Sequence, residues 1–370
     1  MALNFLIPFI HAAIVLPKPT GRYEVGINTM KLVDKTRKLD PFAPDNRTRA
    51  IMVSAFYPVE KTSACYPTRI VKYMPPVTAT FISNEYSIYG IPNGTFEGIG
   101  VQTCRLGAQV SDDYPIVLFS PGLGGSRLIY QVIAQQVASS GYIVVLLDHP
   151  YDTDIVEFPD GSVVLGVPIE TEAQIEVTLE ARTLDASFTL DQLSRRSIAR
   201  SLVPGSKRGL DVRRAGIFGH SLGGATAGST VHNDTRFAGG LNMDGSFHGP
   251  VVNLGLSRPF LIFGAQNRTR FNDESWSTIW PLLQGWKVEL ILADSRHDTF
   301  TDIPYLVKIL GLADLLPPDD TSLLGTIDGA RALQIITSYV TAFMDYALKG
   351  FEAKCLRSPC SEFPEVSFVN

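Results

Sequence analysis

One short segment of the chain has the residue types and spacing of a serine nucleophile. Gly219, Ser221 and Gly223 form the pattern G-x-S-x-G directly after a predicted strand, residues 214–218, and before a stretch that suits a helix. A sharp turn from strand to helix holds a serine in a strained backbone, and glycine on either side lets neighbouring chain pass close by. Such a turn exposes the hydroxyl beside a helix N-terminus, which stabilises developing negative charge. We therefore predict that Ser221 is a nucleophile rather than part of a structural turn.

A serine hydroxyl is a weak nucleophile near neutral pH and requires a histidine base, which here is expected to follow both the serine and an acid in the chain. Of the six histidines, only His248 and His297 lie far enough beyond Ser221. His297 follows a predicted strand, residues 288–292, in a polar loop from which a base can reach over the sheet edge. We predict that His297 is the base and that His248 lines the pocket or a surface loop.

The acid that orients the histidine is predicted at Asp244. In many enzymes with this arrangement the acid follows the strand after next from the nucleophile. Here that strand, residues 260–263, is followed by no carboxylate before Asp273. Asp244 follows the preceding strand, residues 238–242, and is therefore the better acid. An aspartate before glycine also suits the cap of a turn, which is the alternative for Asp244.

The elements that would position these residues alternate between short apolar strands and amphipathic helices after residue 114. The near-continuous apolar run at residues 142–147 is typical of a parallel sheet covered on both faces. Strands alternating with helices imply an α/β fold with a mostly parallel sheet. The other predicted elements are strands at 51–59 and 116–119, a helix at 128–137, a hairpin around 159–161, a helix at 170–193 with Val177, Ala181, Leu184 and Phe188 at helical spacing, and a last helix ending at 349–350.

Length and composition favour a globular, exported protein. The chain has 370 residues, a net charge of −5 and no long run of one charge sign, which argues against a nucleic-acid partner. Residues 1–16 are predicted to be a signal peptide, with a buried first strand as the alternative, and residues 17–370 to be one domain. Residues 61–112, rich in Pro, Gly, Asn and Ser, are predicted to be surface excursions. Sequons favour export and occur at Asn46, Asn93, Asn233 and Asn267.

The four cysteines also favour export, because an even count suits disulfide bonds. Proximity in the chain favours Cys65 with Cys104 and Cys355 with Cys360, and two other pairings remain open. The cysteines lack the spacing of a zinc site, so we predict no metal role for them.

Two further patterns point to a cofactor or a metal but are incomplete. Gly122 and Gly124, with Asp148 at the end of the next strand, resemble part of a dinucleotide-binding fingerprint, but Arg127 occupies its third glycine position. Asp148, His149, Asp152 and Asp154 follow one strand at irregular spacing, which favours a pocket wall over a metal site. We therefore predict neither a cofactor nor a metal.

Three blocks of the sequence resemble the platelet-activating-factor acetylhydrolases of the secreted, lipoprotein-associated type and their fungal relatives. The resemblance runs from about residue 20 to the last helix. Residues 119–124, F-S-P-G-L-G, are similar to the family's F-S-H-G-L-G, with Pro121 in place of histidine, and residues 219–224 match its elbow. Asp244 and the H-x-x-F-x-D block that begins at His297 match the positions of the family's acid and base.

The resemblance implies an α/β-hydrolase fold and a catalytic triad of Ser221, Asp244 and His297. It also implies an oxyanion hole formed by the backbone N–H groups of Leu123 and Leu222. Independently, residues 122–124 form a flexible turn after the strand next to the elbow, which is where the fold requires its second donor.

These observations predict a secreted serine ester hydrolase that needs no cofactor. Its substrate would be a small ester with a short acyl chain, phospholipid-like or of another kind, and the mature chain would carry no transmembrane span. An acyltransferase or a lactonase of a biosynthetic pathway on the same triad is the first alternative. A non-catalytic binding protein is the more distant one.

Overall fold

The computed structural model of the protein describes residues 14–37, 40–44, 47–60, 65, 68–104, 110, 113–316 and 321–370, without the side chains of residues 321 and 322. The strands are β1 (Ile14–Val15), β2 (Glu24–Val33), β3 (Ala50–Val59), β4 (Arg69–Lys72), β5 (Ile99–Thr103), β6 (Ile116–Ser120), β7 (Ile143–Asp148), β8 (Ile155–Glu157), β9 (Val163–Leu165), β10 (Ala215–His220), β11 (Phe237–Met243), β12 (Phe260–Gly264), β13 (Lys287–Leu292) and β14 (Val366–Phe368). The helices are α1 (Pro76–Ser87), α2 (Gln131–Ser139), α3 (Glu172–Leu193), α4 (Arg196–Leu202), α5 (Leu222–Asn233), α6 (Val251–Leu254), α7 (Glu274–Ile279), α8 (Ile303–Leu310), α9 (Thr321–Leu324) and α10 (Gly329–Met344).

The main sheet of the described residues has nine strands in the order β14-β13-β12-β11-β10-β6-β7-β3-β2. The six strands from β13 to β7 run parallel to one another. At one edge β14 is antiparallel to β13, and at the other edge β3 is antiparallel to β7 and β2 is antiparallel to β3. Parallel strands bring their carboxyl ends to the same edge, so the segments after β6, β10, β11 and β13 meet there. The predicted α/β-hydrolase fold with a mostly parallel sheet is confirmed.

Two apolar cores lie on opposite faces of this sheet, because successive strand residues point to opposite sides. Val117 and Phe119 of β6 face a core that includes α2, α8 and α10. Ile116 and Leu118 face a second core that includes α3, α4, α5 and α7. Because helices cover both faces of the sheet, the side chains on both sides of the central strands are buried, and the sequences of these strands are continuously apolar.

The apolar stripe predicted on helix α3 is half buried. Ala181 and Phe188 are buried, whereas Val177 and Leu184 are exposed. The buried part of the helix also carries polar and charged residues at helical spacing, namely Thr178, Arg182, Asp185 and Thr189. Their burial is tolerable because charged side chains elsewhere in the chain pair with Arg182 and Asp185.

The prediction of surface excursions at residues 61–112 is wrong. This region contains β4, α1 and β5, and β5 is buried between β4 and β1 in a second, three-stranded sheet. Its elements are short and bounded by proline and glycine, which concealed them in the sequence.

The helix predicted at 128–137 is two elements. A 3-10 turn, Arg127–Tyr130, kinks at Ile129, and α2 follows. The buried Asp302 carboxylate accepts hydrogen bonds from the Val132 and Ile133 amides, at 2.8 and 3.1 Å, and so supplies the acceptors that the first turn of α2 lacks.

The cysteines form the disulfides Cys65–Cys104 and Cys355–Cys360, which are the pairs favoured by proximity. Residues 1–13 of the predicted signal peptide and the sequon at Asn46 lie outside the described residues. Ile14 and Val15 pair with β5. The other sequon asparagines, Asn93, Asn233 and Asn267, are exposed. Across the described residues, no helix has both the length and the apolar composition needed to span a bilayer.

Candidate active site

Ser221 occupies the sharp turn between β10 and α5, with φ 55° and ψ −125°. A non-glycine residue at this positive φ is strained, and strain of this kind is typical of functional sites. The Ser221 amide donates to the Met243 carbonyl at 2.9 Å, which ties the turn to the end of β11. A Cβ on Gly219 would overlap the backbone of Gly223, and a Cβ on Gly223 would overlap the carbonyl of Ser120. The two glycines of the motif are therefore required by close backbone packing.

His297 and Asp244 meet at the same sheet edge. His297 begins a 3-10 turn after β13, and its Nδ1 lies 2.6 Å from Asp244 Oδ2. The other carboxylate oxygen of Asp244 accepts from the Ala265 amide at 2.8 Å. Burial alone would raise the pKa of Asp244, but the hydrogen bond from His297 and the positive charge of Arg268 outweigh it and lower that pKa. Asp244 is thus held as an anion beside an imidazole whose side chain is 40% exposed.

Ser221 and Asp244 line a cavity of about 180 Å³. Its other lining residues are Leu123, Ile175, Leu222, Ser246, His248 and Arg268. Among the described contacts there is no hydrogen bond between the Ser221 hydroxyl and His297. Such bonds are often long before substrate binds and tighten only in the substrate complex.

The segment after β6 lies directly against the turn at Ser221. A Cβ on Gly122 would be 3.3 Å from the Ser221 Cβ. Within the described part of the chain, the amide N–H groups of Leu123 and Leu222 donate to no protein acceptor. Two unpaired amides beside a serine hydroxyl are suited to binding a negatively charged oxygen.

His220, which precedes the serine, connects the two sides of the site. The His297 carbonyl can only accept, so His220 Nε2 carries the proton of their 2.9 Å hydrogen bond. Burial, followed by the charge of His297, lowers the pKa of His220 to about 3, so the ring is neutral and its Nδ1 accepts from the Tyr130 hydroxyl at 2.9 Å. Tyr130 in turn accepts from the Gly122 amide at 3.3 Å. The sequence rule that places the base after the serine excluded His220 as base and gave no sign of this connecting role.

Comparison with known proteins identifies the family of the chain. The family model described as platelet-activating factor acetylhydrolase, isoform II, matches residues 11–157 and 203–353. The chain belongs to this family. It is 33% identical to a probable 1-alkyl-2-acetylglycerophosphocholine esterase of Arthroderma benhamiae, over 100% of this chain and 97% of that protein. It is 26% identical to the platelet-activating factor acetylhydrolase of Cavia porcellus, over 64% of this chain and 58% of that protein.

A solved structure is also similar. The ferulic acid esterase from Streptomyces cinnamoneus superposes with a TM-score of 0.81 and 32% sequence identity, over 97% of this chain and 100% of that one. Family membership and this structural neighbour show that the chain is a carboxylic ester hydrolase.

Arg268 occupies the position where other enzymes of this fold carry their acid. Its guanidinium donates to the Asp244 carbonyl at 2.6 Å and lies 3.3 Å from Asp244 Oδ2. It also donates to Asp273 Oδ2 at 2.8 Å. Asp273 therefore shares Arg268 with Asp244. Asp244 is the carboxylate that is hydrogen bonded to the imidazole in the described structure. His248 lines the cavity, as predicted, and its Nδ1 lies 2.8 Å from Glu172 Oε1.

Three of the side chains that suggested a cofactor or a metal are engaged within the protein. Arg127, whose presence broke the dinucleotide fingerprint, pairs with Asp148. His149 contacts Asp185, and Asp152 pairs with Arg182. In the described residues, His220, His297 and Asp298 bring possible metal-ligating atoms within 4.8 Å of one another. Both nitrogens of His220 are already hydrogen bonded, so this cluster does not fit a metal as it stands.

Proposed function

We propose that the protein is a secreted serine esterase that forms an acyl-enzyme on Ser221. Asp244 holds the His297 ring so that Nδ1 carries a proton and Nε2 is free to accept one. His297 takes the hydroxyl proton as Ser221 Oγ attacks the ester carbonyl. The amides of Leu123 and Leu222 stabilise the oxyanion. The intermediate collapses, the alcohol leaves with the proton from His297, and water then releases the acid by the same steps in reverse.

The observation that carries this proposal is the positive φ of Ser221 at a strand-to-helix turn that opens into a cavity shared with Asp244. A structural turn would have no reason to place a strained serine beside two unpaired amides and a histidine–aspartate pair. We propose residues 17–370 as one domain that builds this site.

The size of the cavity supports short acyl chains. Pockets that hold drug-sized ligands enclose roughly 300–1,000 Å³, whereas this one encloses about 180 Å³. Helix α3 limits its size, because Leu179 of α3 packs against Leu222 and Ala225 of α5, and Ile175 forms part of the cavity wall. We therefore expect acetyl and butyryl esters to fit and long straight acyl chains to be excluded.

Two observations support secretion. Both cysteine pairs are oxidised. The described sequon asparagines are accessible to glycosylation. Disulfides persist in the secretory pathway and outside the cell. Peptide mapping that finds free thiols at the four cysteines of the secreted protein would contradict this part of the proposal.

The substrate class is tested by a series of p-nitrophenyl esters from acetate to palmitate. A 1-alkyl-2-acetylglycerophosphocholine and methyl ferulate are added because of the relatives' names, and Ser221→Ala serves as the control. We expect acetate and butyrate to be hydrolysed fastest, with the Ser221→Ala variant inactive. Faster hydrolysis of palmitate would overturn the short-chain assignment. Analysis of products with added alcohols separates hydrolysis from acyl transfer, because a transferase would form mainly the new ester.

A further inference from the structure

Arg182 on helix α3 is fully buried beneath the segment that follows β6. Its guanidinium donates to the Pro121 carbonyl at 2.6 Å and to the Gly122 carbonyl at 3.0 Å. The same guanidinium binds both carboxylate oxygens of Asp152, with Nε 2.5 Å from Oδ2. The buried positive charge is thus paired, and its remaining donors are directed at two consecutive backbone carbonyls and, at 3.4 Å, at the Ser120 hydroxyl.

The direction of one of these carbonyls determines the direction of the Leu123 amide. The Gly122 C=O and the Leu123 N–H belong to one planar peptide group, and in a trans peptide they point in opposite directions. With the Gly122 carbonyl held towards Arg182, the Leu123 N–H points away from Arg182. Leu123 and Ser221 line the same cavity. The Gly122 carbonyl also accepts from the Gly125 amide at 3.2 Å, so a rotation of this peptide plane would break two hydrogen bonds, one of them from the charged guanidinium.

The neighbouring polar atoms of the segment are held as well. The Gly124 amide donates to the Asp152 carbonyl at 3.1 Å, and the Asp154 amide donates to the Gly124 carbonyl at 2.8 Å. The Gly122 amide donates to Tyr130. Around Leu123, therefore, both flanking residues are fixed while the Leu123 N–H itself makes no bond within the described structure.

We propose that Arg182 is a positioning residue that aims the Leu123 N–H at the oxyanion, an inference that rests on the proposed function of the site. A charge-assisted hydrogen bond to the Gly122 oxygen also polarises the peptide group and strengthens its N–H as a donor. Arginine is required for this geometry, because a lysine ammonium has no planar fork that could bind Asp152 and two carbonyls together.

The test compares Arg182→Lys with the matched control Arg127→Lys. Arg127 is also buried and paired with an aspartate, Asp148, but its side chain makes none of the described hydrogen bonds to residues 121–125. Three quantities are measured on folded protein: kcat and KM for p-nitrophenyl acetate, the melting temperature, and the Ki of a trifluoromethyl ketone. The ketone adds to the serine and places an oxyanion where the transition state has one.

For Arg182→Lys we expect kcat to fall about 10- to 100-fold with KM little changed. This loss is smaller than that expected for complete removal of an oxyanion donor, because the Leu123 N–H is misdirected and not removed. The Ki of the ketone should rise by the same factor. Arg127→Lys should lower the melting temperature while leaving kcat and Ki near those of the wild type. If Arg182→Lys changes only the melting temperature, or if both variants lose activity alike, the positioning role is contradicted.

A second variant covers the case in which Arg182→Lys does not fold. The double variant Arg182→Met/Asp152→Asn leaves no unpaired buried charge but removes the charged donor to the Gly122 carbonyl, which keeps only the hydrogen bond from the Gly125 amide at 3.2 Å. We expect it to lose roughly 100- to 1,000-fold in kcat and in ketone affinity, and retention of both would overturn the inference. Ser221→Ala separates the two proposals. An active Ser221→Ala would refute the proposed function itself, whereas an inactive Ser221→Ala beside a fully active Arg182 variant would refute only the role of Arg182.

Discussion

In the described part of the chain, a serine, a histidine and an aspartate come together in two places, which we call rows, and one of these two rows opens to a cavity. The exposed row is Ser221, His297 and Asp244. The buried row is Ser120, His149 and Asp185, in which Ser120 Oγ lies 3.0 Å from His149 Nε2 and His149 Nδ1 lies 2.8 Å from Asp185 Oδ2. By hydrogen bonding alone the buried row is the more complete of the two.

The two rows differ in backbone, in access and in charge. Ser120 ends the regular strand β6, whereas Ser221 has a positive φ at a turn. Ser120, His149 and Asp185 are each at most 1% exposed. Asp185 is bound by the Arg49 guanidinium at 2.6 Å, so its charge is already balanced.

This comparison teaches that the three residue types do not make an active site by themselves. A nucleophile also needs a path for substrate and donors for the oxyanion, which Ser221 has and Ser120 lacks. The buried row instead joins β6, β7 and α3 directly beneath the segment 121–124. We infer that it supports the structure of the site and takes no part in the chemistry.

The largest effect is expected for Ser221→Ala. In the proposed mechanism the hydroxyl is the nucleophile, and alanine fits the same turn, so turnover should fall by about 10⁴-fold or more while the melting temperature is kept. Steady-state hydrolysis of p-nitrophenyl acetate and circular dichroism measure the two quantities. If Ser221→Ala is folded and active, the chemistry cannot be assigned to the row that contains Ser221.

Asp244→Asn should lower kcat by roughly 10³- to 10⁴-fold with little change in KM. An amide carries no charge to stabilise the imidazolium and can present the wrong hydrogen-bonding partner to Nδ1. The matched control is Asp273→Asn, which removes the other carboxylate bound to Arg268 and should cost far less. Asp294→Asn and Asp298→Asn should also cost far less. A dead Asp273→Asn beside an active Asp244→Asn would show that the acid is assigned to the wrong residue.

Asp185→Asn in the buried row should act on stability instead. Removing one partner of a buried ion pair costs about 3–5 kcal/mol. Asp185 binds both Arg49 and Arg37, which would lose this charge and keep Asp40 and Asp34 as their partners. Turnover per folded molecule should stay near that of the wild type, as measured by denaturant unfolding together with kcat. A large loss of kcat with normal stability would assign chemistry to the buried row.

The pH dependence of stability in Asp185→Asn tests the charge of the buried row. Burial would raise the pKa of Asp185, but the charge of Arg49 and the hydrogen bond from His149 outweigh it and hold that pKa below its value in the unfolded chain. The ionised Asp185 therefore adds to the free energy of unfolding at pH values above its unfolded pKa of about 4. This contribution is lost as the pH falls towards the lower pKa of the folded state. The difference in unfolding free energy between wild type and Asp185→Asn should be constant above this pH and shrink below it. A difference that grows on acidification would contradict the assigned charge.

The smallest effect is expected for Ser120→Ala. Burial lowers the pKa of His149, so the ring is neutral and its Nε2 accepts from the Ser120 hydroxyl. Loss of that donor leaves a buried acceptor unsatisfied at a cost of about 1–3 kcal/mol. Thermal unfolding measures this cost, and kcat should be near that of the wild type. A loss of turnover comparable to that of Ser221→Ala would refute the structural role of the row.

The exposed row could be predicted from sequence because local patterns mark it. The glycines around Ser221, the strand before Asp244 and the polar loop at His297 each reveal a backbone feature within a few residues. The central strands were predictable for the same reason, since their apolar runs are continuous.

No local sequence pattern marks the buried row or Arg182. Ser120 and His149 are 29 residues apart, His149 and Asp185 are 36 apart, and Arg182 reaches Pro121 across 61 residues. Their pairing depends on how α3 lies against the sheet, and the exposed Val177 and Leu184 misled the prediction of that orientation. Polar residues at helical spacing between Thr178 and Thr189 were the one available sign of a buried polar face.

The most direct test of the account is to label the protein with a reactive organophosphate, such as diethyl p-nitrophenyl phosphate, and to locate the adduct by peptide mass spectrometry. The account predicts one diethyl phosphoryl group per molecule, on Ser221, with loss of esterase activity in proportion to labelling and with Ser120 unmodified. An adduct on Ser120 or on any other residue that accompanies inactivation, or full inactivation with Ser221 unmodified, would contradict it.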